Sequence, residues 1–206
     1  MSDAIRVLST LALKGAVHNL AGQYQAAGGA RIDADFAPTL ALLDRLRSGE
    51  AADVVILTRE GLDEVAREGR VAAESCVDLA RSFVGIAVKA GAVHPDIATE
   101  AALRTALLGA RAVAYSRLGA SGILFAKLIE RLVTGEADLA VQQMSELKQV
   151  AGIEVVGPIP HALQTPAIFS AGRMTASPRA TQADRLLQFL ASSEVAPVLR
   201  ESGLEK

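Results

Sequence analysis

Apolar residues along the first eighty positions follow two spacings that alternate. Short continuous runs predict strands, and apolar residues every three or four positions predict amphipathic helices. The predicted order is a strand at 5–8, a helix at 15–25, a strand at 31–36, a helix at 40–47, a strand at 52–58 and a helix at 61–69. Gly49 and Gly69 follow two of these helices, where glycine commonly ends a helix. This alternation indicates a parallel sheet with helices on both faces and right-handed crossovers.

The remaining chain shows the same spacings in a less regular order. It predicts strands at 82–91, 110–116, 137–143 and 153–159, an extended segment at 165–174, helices at 99–109 and 121–132, and a helical stretch at 181–203 that breaks near Pro197. Thr99 is placed to cap the first of these helices. No linker rich in proline or glycine separates the two parts, so we expect two closely connected lobes, residues 1–80 with 165–206 and residues 81–164. The default ligand site is the cleft between the lobes.

Composition and charge exclude several classes of function. Half of the 206 residues are hydrophobic, the formal net charge is −2 and no block of Lys or Arg occurs, so a nucleic-acid partner is not expected. Charged residues interrupt the apolar runs before they reach the ~20 residues of a spanning helix, so membrane insertion is not expected. The single cysteine, Cys76, excludes an intrachain disulfide and a Cys-rich metal site. No motif calls for a metal or a nucleotide, so we expect no cofactor.

The N-terminal sequence passes straight into a predicted strand, without a basic segment followed by an apolar core. As written, it carries no export signal, which favours a cytoplasmic location. The mature form of an exported periplasmic protein with an added Met would have the same sequence, so this pattern leaves the location open.

The stretch YSRLGASG, residues Tyr115 to Gly122, joins a predicted strand to a predicted helix. Small residues let the backbone approach a ligand closely, and the amides at a helix N-terminus form a site for anions. The expected donors are the amides of residues 120–123 and the hydroxyl of Ser121. The alternative is that Ser121 is an ordinary N-cap.

Five segments, in sequence order, resemble the molybdate-binding-like branch of the type II periplasmic solute-binding proteins: SGEAADVVILTREGLDEVAREGRV, SFVGIAVKAGAVHPDI, AYSRLGASGILFAKLIERL, GEADLAVQQMSEL and FLASSEVAPVLRESGLE. The resemblance implies an α/β, two-lobed periplasmic-binding-protein type II fold, in which each lobe is a mostly parallel sheet flanked by helices. It implies a small oxyanion or organic anion held between the lobes by amides and hydroxyls at helix N-termini, a monomeric protein, and an ABC permease as partner. Some relatives in this branch are cofactor-free isomerases of small acids, so the resemblance does not decide between carrier and enzyme.

Several ligand positions of that family correspond to residues with changed side chains in this chain. The family's serine after the first strand corresponds to Ala12, and a tyrosine of the GEAD segment corresponds to Gln143. A second serine corresponds to Thr39, which keeps a hydroxyl, and a later tyrosine corresponds to Thr165 or Pro166. The resemblance thus predicts ligand contacts at Thr10, Ala12, Leu13, Thr39, Ser116, Ala120, Ser121, Gly122 and Gln143.

The lost hydroxyls bear on the identity of the ligand. A tetrahedral dianion buried without cations needs a donor for nearly every oxygen, so the changed residues favour a carboxylate over molybdate. Three basic residues near the expected cleft could pair with carboxylates or be solvated surface residues: Lys14, Arg81 and Arg117. Gln142 and Gln143 alternate across one predicted strand, so one of them is expected to face the cleft.

The second lobe also looks short by comparison with the resembling proteins. They place a further strand and helix between the segments that correspond to ERL and GEAD, whereas only two residues separate Leu132 from Gly135 here. Either this lobe is shortened, or a segment is missing from the sequence.

Two functions stay open. One is a binding protein that captures a small anion by closure of its lobes. The other is an isomerase that moves a proton within a small carboxylic acid, which needs a base and an acid near the ligand. The candidates are Lys14, Tyr115, Glu146 and His161, whose spacing matches no known catalytic motif, so the catalytic residues stay unassigned. Glu146 has the alternative role of closing a capping box at a helix start.

Overall fold

Two units form the chain in the computed structural model, which describes residues 4–115 and 130–206. The first unit comprises Met1–Arg81 with Ala167–Lys206, and the second comprises Ser82–Pro166. The strands are β1 (Ile5–Thr10), β2 (Ile32–Ala37), β3 (Val54–Thr58), β4 (Val77–Ser82), β5 (Val84–Lys89), β6 (Val113–Tyr115), β7 (Leu139–Gln143), β8 (Ile153–Pro158) and β9 (Ala167–Arg173). The α-helices with described bounds are α1 (Lys14–Ala26), α2 (Thr39–Arg47), α3 (Arg59–Arg67), α4 (Glu100–Gly109), α5 (Met144–Leu147), α6 (Ala180–Ala191) and α7 (Ala196–Glu201), and residues 130–134 are also helical.

The sheet of the first unit has the strand order β2-β1-β3-β9-β4. β1 is parallel to β2 and to β3, as the strand and helix alternation predicts. β9 returns from the end of the chain and pairs antiparallel with β3, with Val54 opposite Arg173. The three parallel strands therefore all end at one edge of this sheet.

Alternate residues of the central strands pack into two separate hydrophobic clusters. Val54 and Ile56 of β3 belong to a cluster that includes residues of α1, α6 and α7, whereas Val55 and Leu57 belong to one that includes residues of α2 and α3. This period of two is what a strand with both faces covered requires. The continuous apolar run at residues 54–57 follows directly from this double burial.

A buried aspartate links three segments of the first unit by hydrogen bonds and an ion pair at the amino end of β3. Asp53 is 2% exposed, and its carboxylate accepts hydrogen bonds from the backbone N of Arg6 at 2.8 Å and from Ser177 Oγ at 2.7 Å. The guanidinium of Arg179 lies 3.6 Å from the same carboxylate. One side chain thus links β1, the start of β3 and the segment that follows β9.

The sheet of the second unit corrects the expectation of a mostly parallel arrangement. Its order is β6-β7-β5-β8, and among these strands only β6 and β7 pair in parallel. β5 is antiparallel to both of its neighbours, β7 and β8. Apolar runs predict that a strand is buried, but they carry no information on its direction, which explains the difference.

Two element boundaries differ from those predicted from the sequence. Residues 82–91 do not form one strand, because β4 ends at Ser82 and β5 begins at Val84. The helical stretch at 181–203 is broken as predicted, but the break begins after Ala191, and Pro197 lies in the first turn of α7, where its missing N–H leaves no helical bond unmade. Among the helices within residues 4–115 and 130–206, none has the length and apolar character needed to cross a membrane.

Candidate functional site

Three parallel strands of the first unit lead into helices at one edge of their sheet. β1 ends at Thr10, opposite Ala37 of β2, and β3 ends at Thr58. A 3-10 helix, Leu11–Leu13, follows β1, and α2 begins shortly after β2. In α/β sheets, ligands bind outside the carboxyl ends of parallel strands. The structure brings the predicted residues of this unit to that edge: Thr10, Ala12, Leu13, Lys14 and Thr39.

The helices that follow β1 and β2 begin without a side-chain cap. Among the described residues, no side chain caps the 3-10 helix, α1 or α2, and their first turns hold no acidic residue. By contrast, Thr58 caps α3, where its Oγ1 accepts a hydrogen bond from the backbone N of Gly61 at 3.3 Å. Thr99 caps α4 in the same way, with the backbone N of Ala102 at 3.1 Å, which confirms the cap predicted there. α3 and α4 also carry a glutamate in the first turn. The first amides of the 3-10 helix and of α2 are therefore left for an external acceptor, and the positive end of a helix favours an anion.

Ala12 and Leu13 can reach a ligand only through their backbone amides. Their side chains are 3% and 2% exposed and pack in the hydrophobic core. Ser9 does not replace the hydroxyl that is missing at Ala12, because it is fully buried and its hydroxyl donates to the Thr10 carbonyl at 3.2 Å. The first strand thus contributes amides and one threonine to this edge.

Thr39 keeps a hydroxyl that can donate to a ligand. Its Oγ1 accepts a hydrogen bond from the backbone N of Thr58 at 3.4 Å, so the hydroxyl hydrogen is still available. Leu40, which the sequence reasoning missed, is the second residue of α2 and is 63% exposed. In the sequence, only its position directly after Thr39 indicates that Leu40 belongs to the candidate site. Lys14 is exposed at the first position of α1.

Gln143 ends β7 in the second unit with an unsatisfied polar atom. Its Oε1 is buried and has no hydrogen-bond partner among the described residues. Its backbone N donates to Oε1 of the neighbouring Gln142 at 3.1 Å. A buried acceptor without a donor costs about 1–3 kcal/mol, so this atom is placed to meet a group that the described residues do not supply. The oxygen and the nitrogen of a glutamine side chain exchange places when the amide rotates by half a turn. The external group that pairs with Gln143 can therefore be either a donor or an acceptor.

Glu146 does not close a capping box, which corrects the alternative role predicted for it. It is the third residue of α5, but the N–H that it would accept from, that of Gln143, already donates to Gln142. No hydrogen bond or ion pair of its carboxyl occurs within the described part of the chain. Burial raises the pKa of the Glu146 carboxyl above its usual range.

The structure brings two other acid–base candidates to the same end of the second sheet. Tyr115 ends β6, which is parallel to β7, and is 68% exposed. Phe83 precedes β5, its carbonyl accepts from the backbone N of Met144 at 2.8 Å, and the His161 ring lies edge-on to its ring at 4.7 Å. Residues far apart in sequence are thus neighbours here, through pairings that no spacing along the chain shows.

The remaining predicted residues are not part of these two sheet edges as the structure describes them. Ser116, Arg117, Ala120, Ser121 and Gly122 fall outside the described residues. Arg81 pairs with Glu205 through the backbone, and its guanidinium donates to the Lys206 carbonyl at 3.0 Å. Within residues 4–115 and 130–206, no group of three His, Cys, Asp or Glu residues could hold a metal ion.

Gly85 of β5 lies against Met144 of α5, and the absence of a side chain at Gly85 lets α5 pack closely on the second sheet. A Cβ added at Gly85 would overlap Met144 Sδ and lie 2.8 Å from the Gly157 carbonyl oxygen. Replacement of Gly85 by Ala should therefore push α5 outward, lower the free energy of unfolding by about 1–3 kcal/mol and weaken ligand binding through Gln143. Urea denaturation followed by circular dichroism measures the first effect. Gly22→Ala is the control, because a Cβ there meets nothing within 4 Å and alanine should stabilise the helix by about 1 kcal/mol. Unchanged stability of the Gly85 variant would show that this contact is not tight.

Comparison with known proteins assigns the class. The sequence profile of the family described as bacterial extracellular solute-binding protein matches residues 5–132 and 125–205. The chain belongs to this bacterial extracellular solute-binding protein family. Its mixed α/β fold is the type II periplasmic-binding-protein fold, which confirms the resemblance and the fold class predicted from the sequence.

Individual relatives add detail. The chain is 34% identical to an aconitate isomerase from Pseudomonas sp over 229 aligned positions, which cover 98% of this chain and 87% of the relative. It is similar in structure to the periplasmic molybdate-binding protein of Azotobacter vinelandii, with a TM-score of 0.76, 15% identity and coverage of 98% and 99% of the two chains. The sulfate-binding protein of Mycobacterium tuberculosis gives a TM-score of 0.72 at 14% identity, with coverage of 98% and 86%. At such identities the two structures support the fold alone.

The same comparisons bear on the short second unit. The alignment with the aconitate isomerase has 229 positions, although this chain has 206 residues, so the relative carries residues that this chain lacks. The two profile matches meet at residues 125–132, next to the place where the sequence resemblance indicates a missing strand and helix.

Proposed function

We propose that the protein binds a small organic carboxylate anion. The observation that carries the proposal is the pair of helix starts after β1 and β2, which have no side-chain cap and no acidic residue in their first turns. Thr39 adds a hydroxyl hydrogen, and Lys14 adds a positive charge at the start of α1. Amides, a hydroxyl and one cation at the same sheet edge form the donor set that an anion requires.

A carboxylate fits this donor set better than a tetrahedral oxyanion does. A dianion such as molybdate needs donors around all of its oxygens, but Ala12 has no hydroxyl and Ser9 is occupied by the Thr10 carbonyl. A carboxylate concentrates its charge on two oxygens and leaves the rest of the molecule to meet neutral groups.

A thermal-shift panel tests this proposal. It contains di- and tricarboxylic acids, including cis- and trans-aconitate, next to molybdate, tungstate, sulfate and phosphate. A ligand at 100 times its Kd stabilises the folded state by about 2.7 kcal/mol, which corresponds to roughly 5–10 °C for a chain of this size. We expect such a shift with a carboxylic acid and none with the oxyanions. A large shift with molybdate alone would contradict the carboxylate assignment.

As a carrier, the protein would deliver the bound anion to an ABC permease, the usual arrangement for solute-binding proteins. This role needs no chemistry. The acid recovered after incubation with the protein should then be identical to the acid added.

A second candidate function is isomerisation of the bound acid by proton transfer. It is favoured by the identity of 34% with an aconitate isomerase, which extends over 98% of this chain. Proton NMR of cis-aconitate incubated with the protein distinguishes the two functions. Appearance of the trans isomer at a rate proportional to protein concentration supports the enzyme, and a thermal shift without any conversion supports the carrier.

A further inference from the structure

Packing holds α5 firmly at the end of β7. Ser145 Oγ lies 3.3 Å from Ser82 Oγ, and both serines are buried. Leu147 is fully buried in a hydrophobic cluster, and Met144 lies against Gly85. Of the two polar side chains in this four-residue helix, Ser145 and Glu146, only that of Glu146 has no hydrogen-bond partner in the described chain. A functional group on such a fixed element is held in position before a ligand arrives.

Glu146 and Gln143 are two polar side chains within one turn, the first half-buried without a described hydrogen-bond partner and the second with a buried oxygen that has none. Among the buried side-chain oxygen and nitrogen atoms of the described residues, those without a partner are Gln143 Oε1 and Ser192 Oγ. Ser192 belongs to the first unit, far along the chain from α5. Burying polar groups without partners is unfavourable, so their concentration at this strand end points to a ligand that supplies what is missing.

We propose that Glu146 is the residue that moves the proton when a bound unsaturated carboxylic acid is isomerised, an inference that rests on the second candidate function. Its carboxylate removes a proton from a methylene carbon next to a carboxylate of the ligand. The electron pair of that C–H bond forms the new C=C bond, and the pair of the former C=C bond takes the proton back from Glu146 at its far carbon. No atom is oxidised or reduced, and Glu146 returns to its carboxylate form.

The surroundings of Glu146 suit this role better than those of the other candidates. Burial, with no neighbouring cation among residues 4–115 and 130–206, makes its carboxylate a stronger base than an exposed one, which favours removal of a proton from carbon. Tyr115 and His161 are exposed, and the His161 ring lies against Phe83. Lys14 is exposed and, in the proposed function, pairs with the anion as a cation, a form that cannot act as a base. Gln143, at the start of the same turn, is placed to hold the ligand.

The test follows aconitate in D₂O by proton NMR. With the wild-type protein we expect the methylene signal to lose intensity as deuterium enters and the other isomer to form. Glu146→Gln should slow both processes at least about 100-fold, because general base catalysis typically contributes that much, while the thermal shift with aconitate persists. Glu136→Gln, which changes an exposed carboxylate of the same unit, should retain the wild-type rates.

Each outcome decides a separate point. Wild-type rates in Glu146→Gln would overturn the assignment and leave the isomerase function in place. A wild-type protein that shows the thermal shift but neither exchange nor conversion would overturn both, while carboxylate binding would stand. If Glu146→Gln also lost the shift, Glu146→Asp would decide. A shift retained with rates lowered at least about 10-fold supports proton transfer, and loss of the shift in both variants overturns it in favour of a structural role.

Discussion

Aspartate in place of Leu40 should abolish most ligand binding without loss of thermal stability. Leu40 is the second residue of α2 and is 63% exposed, so its replacement removes little buried surface. An acidic residue in a first turn stabilises a helix by about 0.3–1 kcal/mol. The same carboxylate would face the ligand anion, and two like charges about 4 Å apart near a protein surface repel by about 4 kcal/mol. We therefore expect Kd to rise at least about 100-fold, measured by titration calorimetry with the acid that gives the largest thermal shift.

Two further variants separate charge from position. Ala101→Asp introduces the same charge at the second residue of α4, which is exposed and belongs to the second unit. This variant should leave Kd unchanged. Leu40→Asn has a similar shape without the charge and should change Kd by no more than about threefold. Wild-type affinity in Leu40→Asp would show that the start of α2 is not part of the site.

Removal of the Asp53 carboxylate should lower the free energy of unfolding more than the other substitutions proposed for this protein. The substitution Asp53→Ala leaves the N–H of Arg6 and the hydroxyl of Ser177 without their acceptor in a site where the side chain is 2% exposed. It also removes the negative charge 3.6 Å from the Arg179 guanidinium. We expect the free energy of unfolding to fall by about 2–4 kcal/mol, measured by urea denaturation with circular dichroism.

Matched substitutions show whether this loss reflects the buried hydrogen bonds. Asp53→Asn keeps one acceptor oxygen and should lose about half as much stability. Asp44→Ala removes an exposed carboxylate of the same unit and should stay within about 0.5 kcal/mol of the wild type. Because Asp53 lies at the opposite end of β3 from the candidate site, the folded variants should bind ligand with unchanged Kd. A loss below about 1 kcal/mol in Asp53→Ala would contradict the argument.

The sequence predicts those parts of the fold in which hydrophobic spacing is strong. β3 is buried on both faces, and its unbroken apolar run identifies it. β4 was missed, because its buried and exposed residues are mixed and it contains Asp78 and Arg81. Strand direction in the second sheet depends on which strands pair, and this is not encoded in the local pattern. α6 ends at Ala191 because Ser192 has an extended backbone, with ψ of 160°, and no glycine or proline marks this position in the sequence.

The candidate site was predictable where a residue type marks a position. The resemblance predicted Thr39 and Gln143 as ligand contacts, and in the structure Thr39 begins the helix that follows β2 and Gln143 ends β7. The unpaired carboxyl of Glu146 was not predictable, because the sequence fits a capping box equally well. The difference depends on Gln142, whose side chain folds back onto the next amide. Such competition between neighbouring acceptors is visible only in three dimensions.

The position of β9 has a consequence for the order in which the protein is made. β9 lies between β3 and β4 in the first sheet, yet it is the last strand to leave the ribosome. All strands of the second sheet precede it in the chain. During translation the second unit can therefore complete its sheet while the first still has a gap with two open strand edges, which are the edges most prone to wrong pairing. The unit that is synthesised first is thus the last to complete its sheet, and its open edges stay exposed until β9 has been made.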